Sequence, residues 1–124
     1  MDGRKTLALA GLLLALATLC GALGAHALKG HLSADRLEVY DTAVRYHFCS
    51  SLGLLGIGLA LRSAQTRLLR WSAVLVFLGV VLFSGSLYAL TFGAPHVVGV
   101  VTPVGGLALI AGWLLFALGF LRLR

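Results

Sequence analysis

Long apolar runs separated by short polar clusters set the pattern of this chain. No Asp, Glu, Lys or Arg occurs from Thr6 to Leu28, and none occurs from Trp71 to Leu121. A helix that crosses a membrane needs about 20 apolar residues, so the pattern predicts four spans, over residues 6–28, 43–61, 71–91 and 103–121. Between the first two, Lys29-Gly30-His31-Leu32 breaks the chain, and Ser33 is placed to cap a new helix whose first turn carries Asp35, an acid where the helix dipole favours one. Leu37, Tyr40, Val44 and Phe48 then share one face and Glu38, Asp41 and Arg45 the adjacent one, which marks an amphipathic helix. No Gly or Pro interrupts this stretch. The amphipathic helix, residues 33–47, is therefore expected to lead straight into the second span.

The connector from Arg62 to Arg70 holds three arginines, and Trp71 opens the third span as an interfacial anchor. Gly93-Ala94-Pro95-His96 breaks the chain again. Thr is a good N-cap and Pro is favoured at the first helical position, so Thr102-Pro103 predicts the start of the fourth helix. Residues 93–101 are accordingly expected to lie as a loop across the outer interface.

Composition sharpens the picture. Hydrophobic residues make up 60% of the 124 and charged residues 11%, against roughly 25% charged in a soluble domain. The solvent is lipid, and four spans leave no room for a second domain. The net charge of +6 does not point to nucleic acid. Its Lys and Arg side chains stand in small groups at the ends of apolar runs, not on one face among exposed aromatics. They read instead as the orienting charges of a membrane protein. Counting them by segment places both termini on the cytoplasmic side of a cell inner membrane, with the first and third connectors outside. The first run imitates a secretory signal ending in Ala25-His26-Ala27, but its 23 residues exceed the 7–15 of a signal core. An uncleaved span is expected.

Lipid gives helices no hydrophobic reason to associate, so small residues and a few polar contacts must hold them together. Such residues recur every seventh position: Ala10, Ala17 and Gly24; Cys49 and Gly56; Ser72, Gly79 and Ser86; Gly105, Gly112 and Gly119. That period specifies an antiparallel four-helix, all-α bundle with left-handed crossings. Cys20 and Cys49 lie in apolar surroundings without a CxxC, and read as small core residues.

Polar residues that could carry chemistry gather toward the outer end: His26, Arg45, Tyr46, His47, Ser84, Ser86, Tyr88 and Thr102. Ionisable groups inside a membrane are functional candidates because burying them is costly. Two readings of the cluster stand side by side. Arg45 can snorkel to the interface and the serines can bond backbone carbonyls, a purely structural role; or the cluster holds a small molecule, lipid or proton. The histidine spacing suits no metal, and the sequence carries no nucleophile elbow, phosphate loop or HExxH motif. No catalytic residue and no cofactor is expected.

Several segments together resemble a known family. Gly21-Ala22-Leu23-Gly24-Ala25-His26-Ala27-Leu28-Lys29, Thr42-Ala43-Val44 with Tyr46, Leu82-Phe83-Ser84-Gly85-Ser86-Leu87-Tyr88, Thr102-Pro103-Val104-Gly105-Gly106 and Gly112-Trp113 are similar to signatures of the YgdD-type small membrane proteins. These form a domain-of-unknown-function family (number 423), with eukaryotic relatives called transmembrane protein 256. The resemblance implies a four-span inner-membrane protein and brings no activity, cofactor or substrate. Relatives often carry a His where this chain has Ser50. The expectation is thus a non-enzymatic accessory, assembly or binding protein whose partners are the lipid bilayer and another copy or a larger membrane complex. The alternative is transport or binding of a small molecule, ion or lipid through a polar cavity at the outer end.

Overall fold

The computed structural model describes residues 1–123. It is all-α, with helices α1 (Gly3–His26), α2 (Ala34–Ser63), α3 (Arg67–Thr91) and α4 (Val101–Leu121), each long and apolar enough to cross a membrane. Three of the four begin on a capping side chain: Asp2, Ser33 and Thr66 accept from the backbone N–H of Lys5, Arg36 and Leu69, satisfying donors the first turn leaves free. The amphipathic segment and the second span are one helix. α3 ends in a Schellman turn, with Gly93 at φ 99° and the N–H groups of Gly93 and Ala94 bonded to the carbonyls of Leu90 and Ala89. Glycine takes this left-handed position without the Cβ penalty.

The fourth helix starts earlier than its sequence suggests. His96–Val100 forms a 3-10 turn that runs directly into α4 at Val101, so 93–101 is not an irregular loop. Thr102 does not cap. Pro103 sits at the third position of α4, where its missing N–H costs nothing because the first four donors of a helix have no partner within it. Val100, the residue before α4, is itself helical, so no capping side chain is needed.

Burial follows a 3.5-residue period. On α2 the buried positions include Tyr40, Ala43, His47, Ser50, Leu54, Ile57 and Leu61, separated alternately by three and four residues, the seam spacing of left-handed packing. Neighbours in sequence are antiparallel. Gly3 lies against Arg62 and Gly58, and Gly24 against Tyr40, while Gly119 meets Leu69 and Gly105 meets Phe83. α2 and α3 form the central pair. α1 packs on α2, α4 packs on α3, and the two outer helices lie on opposite sides of the pair, because His47, Ser84 and Tyr88 face α1 while Ser50 and Phe83 face α4.

The glycine seam is real on three helices. Gly24, Gly79, Gly105, Gly112 and Gly119 are buried against a neighbour. On α2 the expectation fails: Gly56 is exposed with open space around it, and Cys49 is exposed too. Gly58, packed on Leu7, and Gly53, packed on Trp113, take their place. Small residues alone do not say which face is buried when a helix carries several of them.

Candidate functional site

The eight polar residues singled out above separate into distinct places. His26 ends α1 and is exposed, as is Arg45. Arg45, Tyr46 and His47 are consecutive, and successive helical residues project about 100° apart, so they cannot share one face. Tyr46 turns toward the α4 side and packs on Phe83 of α3, with ring centroids 4.7 Å apart and the planes tilted by 54°. Ser86 and Thr102 form a pair of their own between α3 and α4, their hydroxyl oxygens 2.5 Å apart, and the Ser86 hydroxyl also reaches the Phe83 carbonyl at 2.9 Å.

His47, Ser84 and Tyr88 do come together. His47 is 3% exposed, and its Nδ1 lies 2.8 Å from the Tyr88 hydroxyl. Beside it the Ser84 hydroxyl donates to the carbonyl of Ala43 at 2.9 Å and ties α3 to α2. The ring of Tyr88 packs 5.6 Å from that of Tyr40, which is edge-on to Phe92 at 6.2 Å. The Tyr40 hydroxyl donates to the carbonyl of Cys20 on α1. A chain of polar and aromatic contacts thus links α1, α2 and α3. Tyr40 was legible only as part of an apolar face; its hydroxyl, the link to α1, gave no periodic signal.

One atom in this network lacks a partner. Among the described residues His47 Nε2 is buried without a partner at hydrogen-bond geometry, where an unsatisfied buried polar group costs about 1–3 kcal/mol. A cavity of about 170 Å³ adjoins it, walled by Leu13 and Leu16 of α1 and by Val80 and Val81 of α3. A neutral imidazole in that position can give or take one hydrogen bond, depending on which nitrogen carries the proton. Both cysteines are free thiols, Cys20 partly buried and Cys49 exposed on the α4 side. Among the described residues no group of three or more His, Cys, Asp or Glu side chains is arranged to hold a metal ion.

The remaining buried hydroxyls serve packing. Those of Thr6, Ser51 and Thr91 bond carbonyls four residues earlier, and that of Ser72 crosses to the carbonyl of Gly112 at 2.8 Å. Ser50 is different: it is 5% exposed and bonds to nothing among the described residues.

Comparison with known proteins finds membrane proteins. Residues 20–106 match the family described as "Protein of unknown function (DUF423)". A UPF0382 membrane protein of Staphylococcus haemolyticus is 45% identical over 95 residues, covering 77% of each chain. One of Staphylococcus saprophyticus is 40% identical over 103 residues, covering 83% of this chain and 85% of the relative. The UPF0382 inner membrane protein YgdD of Escherichia coli K12 is 38% identical over 104 residues, covering 84% and 79%. No solved structure matches.

Proposed function

The chain belongs to the DUF423 family of membrane proteins of unknown function, and from that premise we propose that it is a non-enzymatic accessory or assembly protein, working through helix contacts with another copy or a larger membrane complex. The observation that carries this reading is the second seam of α1. Gly3, Thr6, Ala10, Ala17 and Gly24 are buried on the side of α2. On a separate face Ala8, Gly11, Ala15, Thr18, Ala22 and Ala25 recur with the same alternation of three and four residues, and all are exposed. A Cβ at Gly11 would meet nothing within 4 Å. A helix that needed only to face lipid has no use for a second stripe of small residues, whereas close approach of another helix does.

The distribution of charge supports an orientation. Arg4, Lys5, Arg62, Arg67, Arg70 and Arg122 gather at one end of the array, while Lys29, Arg36 and Arg45 toward the other are offset by Asp35, Glu38 and Asp41. By the excess of positive charge, both termini lie on the cytoplasmic side of an inner (plasma) membrane. Extraction in native-membrane nanodiscs followed by quantitative mass spectrometry tests the assembly reading. A second copy or one reproducible partner is expected with the native chain and lost with Gly11→Leu/Ala15→Leu. A monomer without a reproducible partner contradicts it.

A second reading is favoured by the lone Nε2 of His47 beside its cavity: binding of a small molecule or lipid oxygen at the outer end. A ligand retained by the native chain in native mass spectrometry, and lost with His47→Leu, supports this reading. Equal spectra for the two refute it.

A further inference from the structure

The side of the α2–α3 pair turned toward α4 carries a larger cleft, of about 380 Å³, within the ~300–1,000 Å³ usual for small-molecule sites. Tyr46, Phe83 and Trp113 wall it with aromatic surface, and Cys49, Ser50, Gly106, Leu109 and Ile110 complete the lining around them. Two glycines shape it. A Cβ at Gly53 would come within 2.0 Å of the Trp113 indole, so the ring can lie flat against α2 only because that position is bare. A Cβ at Gly106 would touch Phe83 at an ordinary 3.7 Å, so packing does not require glycine there; its effect is to leave the cleft open.

The chemistry of the lining is selective. No side chain facing the cleft is charged, so a charged headgroup has no counter-ion in it. Ser50 is the exception among the buried hydroxyls. Thr6, Ser51, Ser72, Ser84, Ser86 and Thr91 are all hydrogen-bonded, whereas Ser50, 5% exposed and lining the cleft, bonds neither a neighbour nor the carbonyl four residues before it. Helical serines in membranes ordinarily take that carbonyl. The occupant is therefore neutral, able to pack on aromatic surface, and an acceptor of hydrogen bonds.

Depth narrows the class. Ser50 lies twelve residues before Arg62 and Trp113 nine before Arg122, which places them about 18 and 14 Å from the basic end of the array at 1.5 Å per residue. Half of a ~30 Å hydrocarbon core is about 15 Å, so Ser50 and Trp113 sit near the bilayer midplane, while Tyr46 and Gly106, each sixteen residues from the same arginines, carry the cleft toward the outer edge. Ester carbonyls of phospholipids lie near the edge of that core, and a bare acyl chain offers nothing to Ser50. We propose that the cleft between α2, α3 and α4 binds the ring of a lipid-soluble quinone, with the Ser50 hydroxyl donating to a ring carbonyl and the aromatic walls packing against the ring.

Trp113 provides the readout. The chain has two tryptophans, so Trp71→Phe, at an exposed interfacial position, leaves Trp113 as the sole emitter. Decylubiquinone titrated into the full chain in lipid nanodiscs should quench it saturably. Gly106→Leu, whose side chain extends into the cleft, should weaken binding at least tenfold. Ser50→Ala, close to isosteric and safe for folding, should weaken it about fivefold, the worth of one neutral hydrogen bond. Dioleoylglycerol and decanol should not compete. Linear quenching that is the same in the native and Gly106→Leu chains, or displacement by dioleoylglycerol at equal concentration, overturns the proposal. This outcome is separate from that of the α1 seam, which lies on the other side of the central pair.

Discussion

Gly105→Ala should loosen the α3–α4 contact more than any other single added methyl. An added Cβ there would stand 2.3 Å from the Phe83 nitrogen and 2.8 Å from its Cα, both backbone atoms that cannot rotate away. Ordinary contact begins near 3.4 Å, so the helices must separate by about 1.1 Å at this point. Overpacking of this kind costs roughly 1–3 kcal/mol. The displacement also strains the two hydrogen bonds that cross the same interface, Ser86 to Thr102 and Ser72 to the Gly112 carbonyl, each worth about 0.6 kcal/mol in a membrane protein. The total is about 2–4 kcal/mol, or roughly 30- to 700-fold in the unfolding equilibrium. Reversible unfolding in mixed micelles by steric trapping would measure it, with Gly56→Ala as the control because its Cβ meets nothing within 4 Å. If Gly105→Ala and Gly56→Ala are equally stable, the close approach of α3 and α4 is wrong.

Further outcomes follow from the same contacts. Gly112→Leu should destabilise the fold far more than Leu114→Ile in the same assay, since Gly112 packs against Val76 and Ser72 while Leu114 faces outward. Ser84→Ala should cost about 0.6–1.7 kcal/mol by removing the bond to Ala43, and the unfolding midpoint reports it. The Asp2 carboxylate accepts the Lys5 N–H at 2.8 Å, and this bond holds its pKa below the ordinary 3.8. A depressed acid stabilises above its unfolded pKa and loses that contribution as pH falls through the folded one. Amide exchange at Lys5, corrected for its intrinsic pH dependence, should therefore accelerate only below about pH 3.8, and Asp2→Asn should flatten the response.

The four helices and the Ser33 cap were readable because each rests on local chemistry. An uninterrupted apolar run needs a helix in lipid, and Ser33 satisfies a donor two to three residues away. What depends on rotation about a helix axis was harder to read. Gly56 shares its seven-residue period with buried glycines elsewhere but sits on the lipid side of α2, because Leu54, Ile57 and Leu61 claim the buried face. The polar cluster dispersed for the same reason, with Tyr46 and His47 turning to opposite sides of the central pair. Thr102-Pro103 looked like a helix start because the 3-10 turn before it, built from apolar Val97, Val98 and Val100 around Gly99, has no strong sequence mark. Ser50 stood out only as a departure from its relatives, since the absence of a hydrogen bond is visible only once its neighbours are in place.

The α1 seam is the claim on which the functional account turns, and a photo-reactive probe can question it in intact membranes. With the native cysteines replaced, a benzophenone maleimide attached at Ala15→Cys should capture a second copy or one defined protein partner, while the same probe at Leu59→Cys, exposed on α2, should label lipid. Lipid adducts alone at both positions would show that the stripe of small residues meets no helix, and would contradict the account.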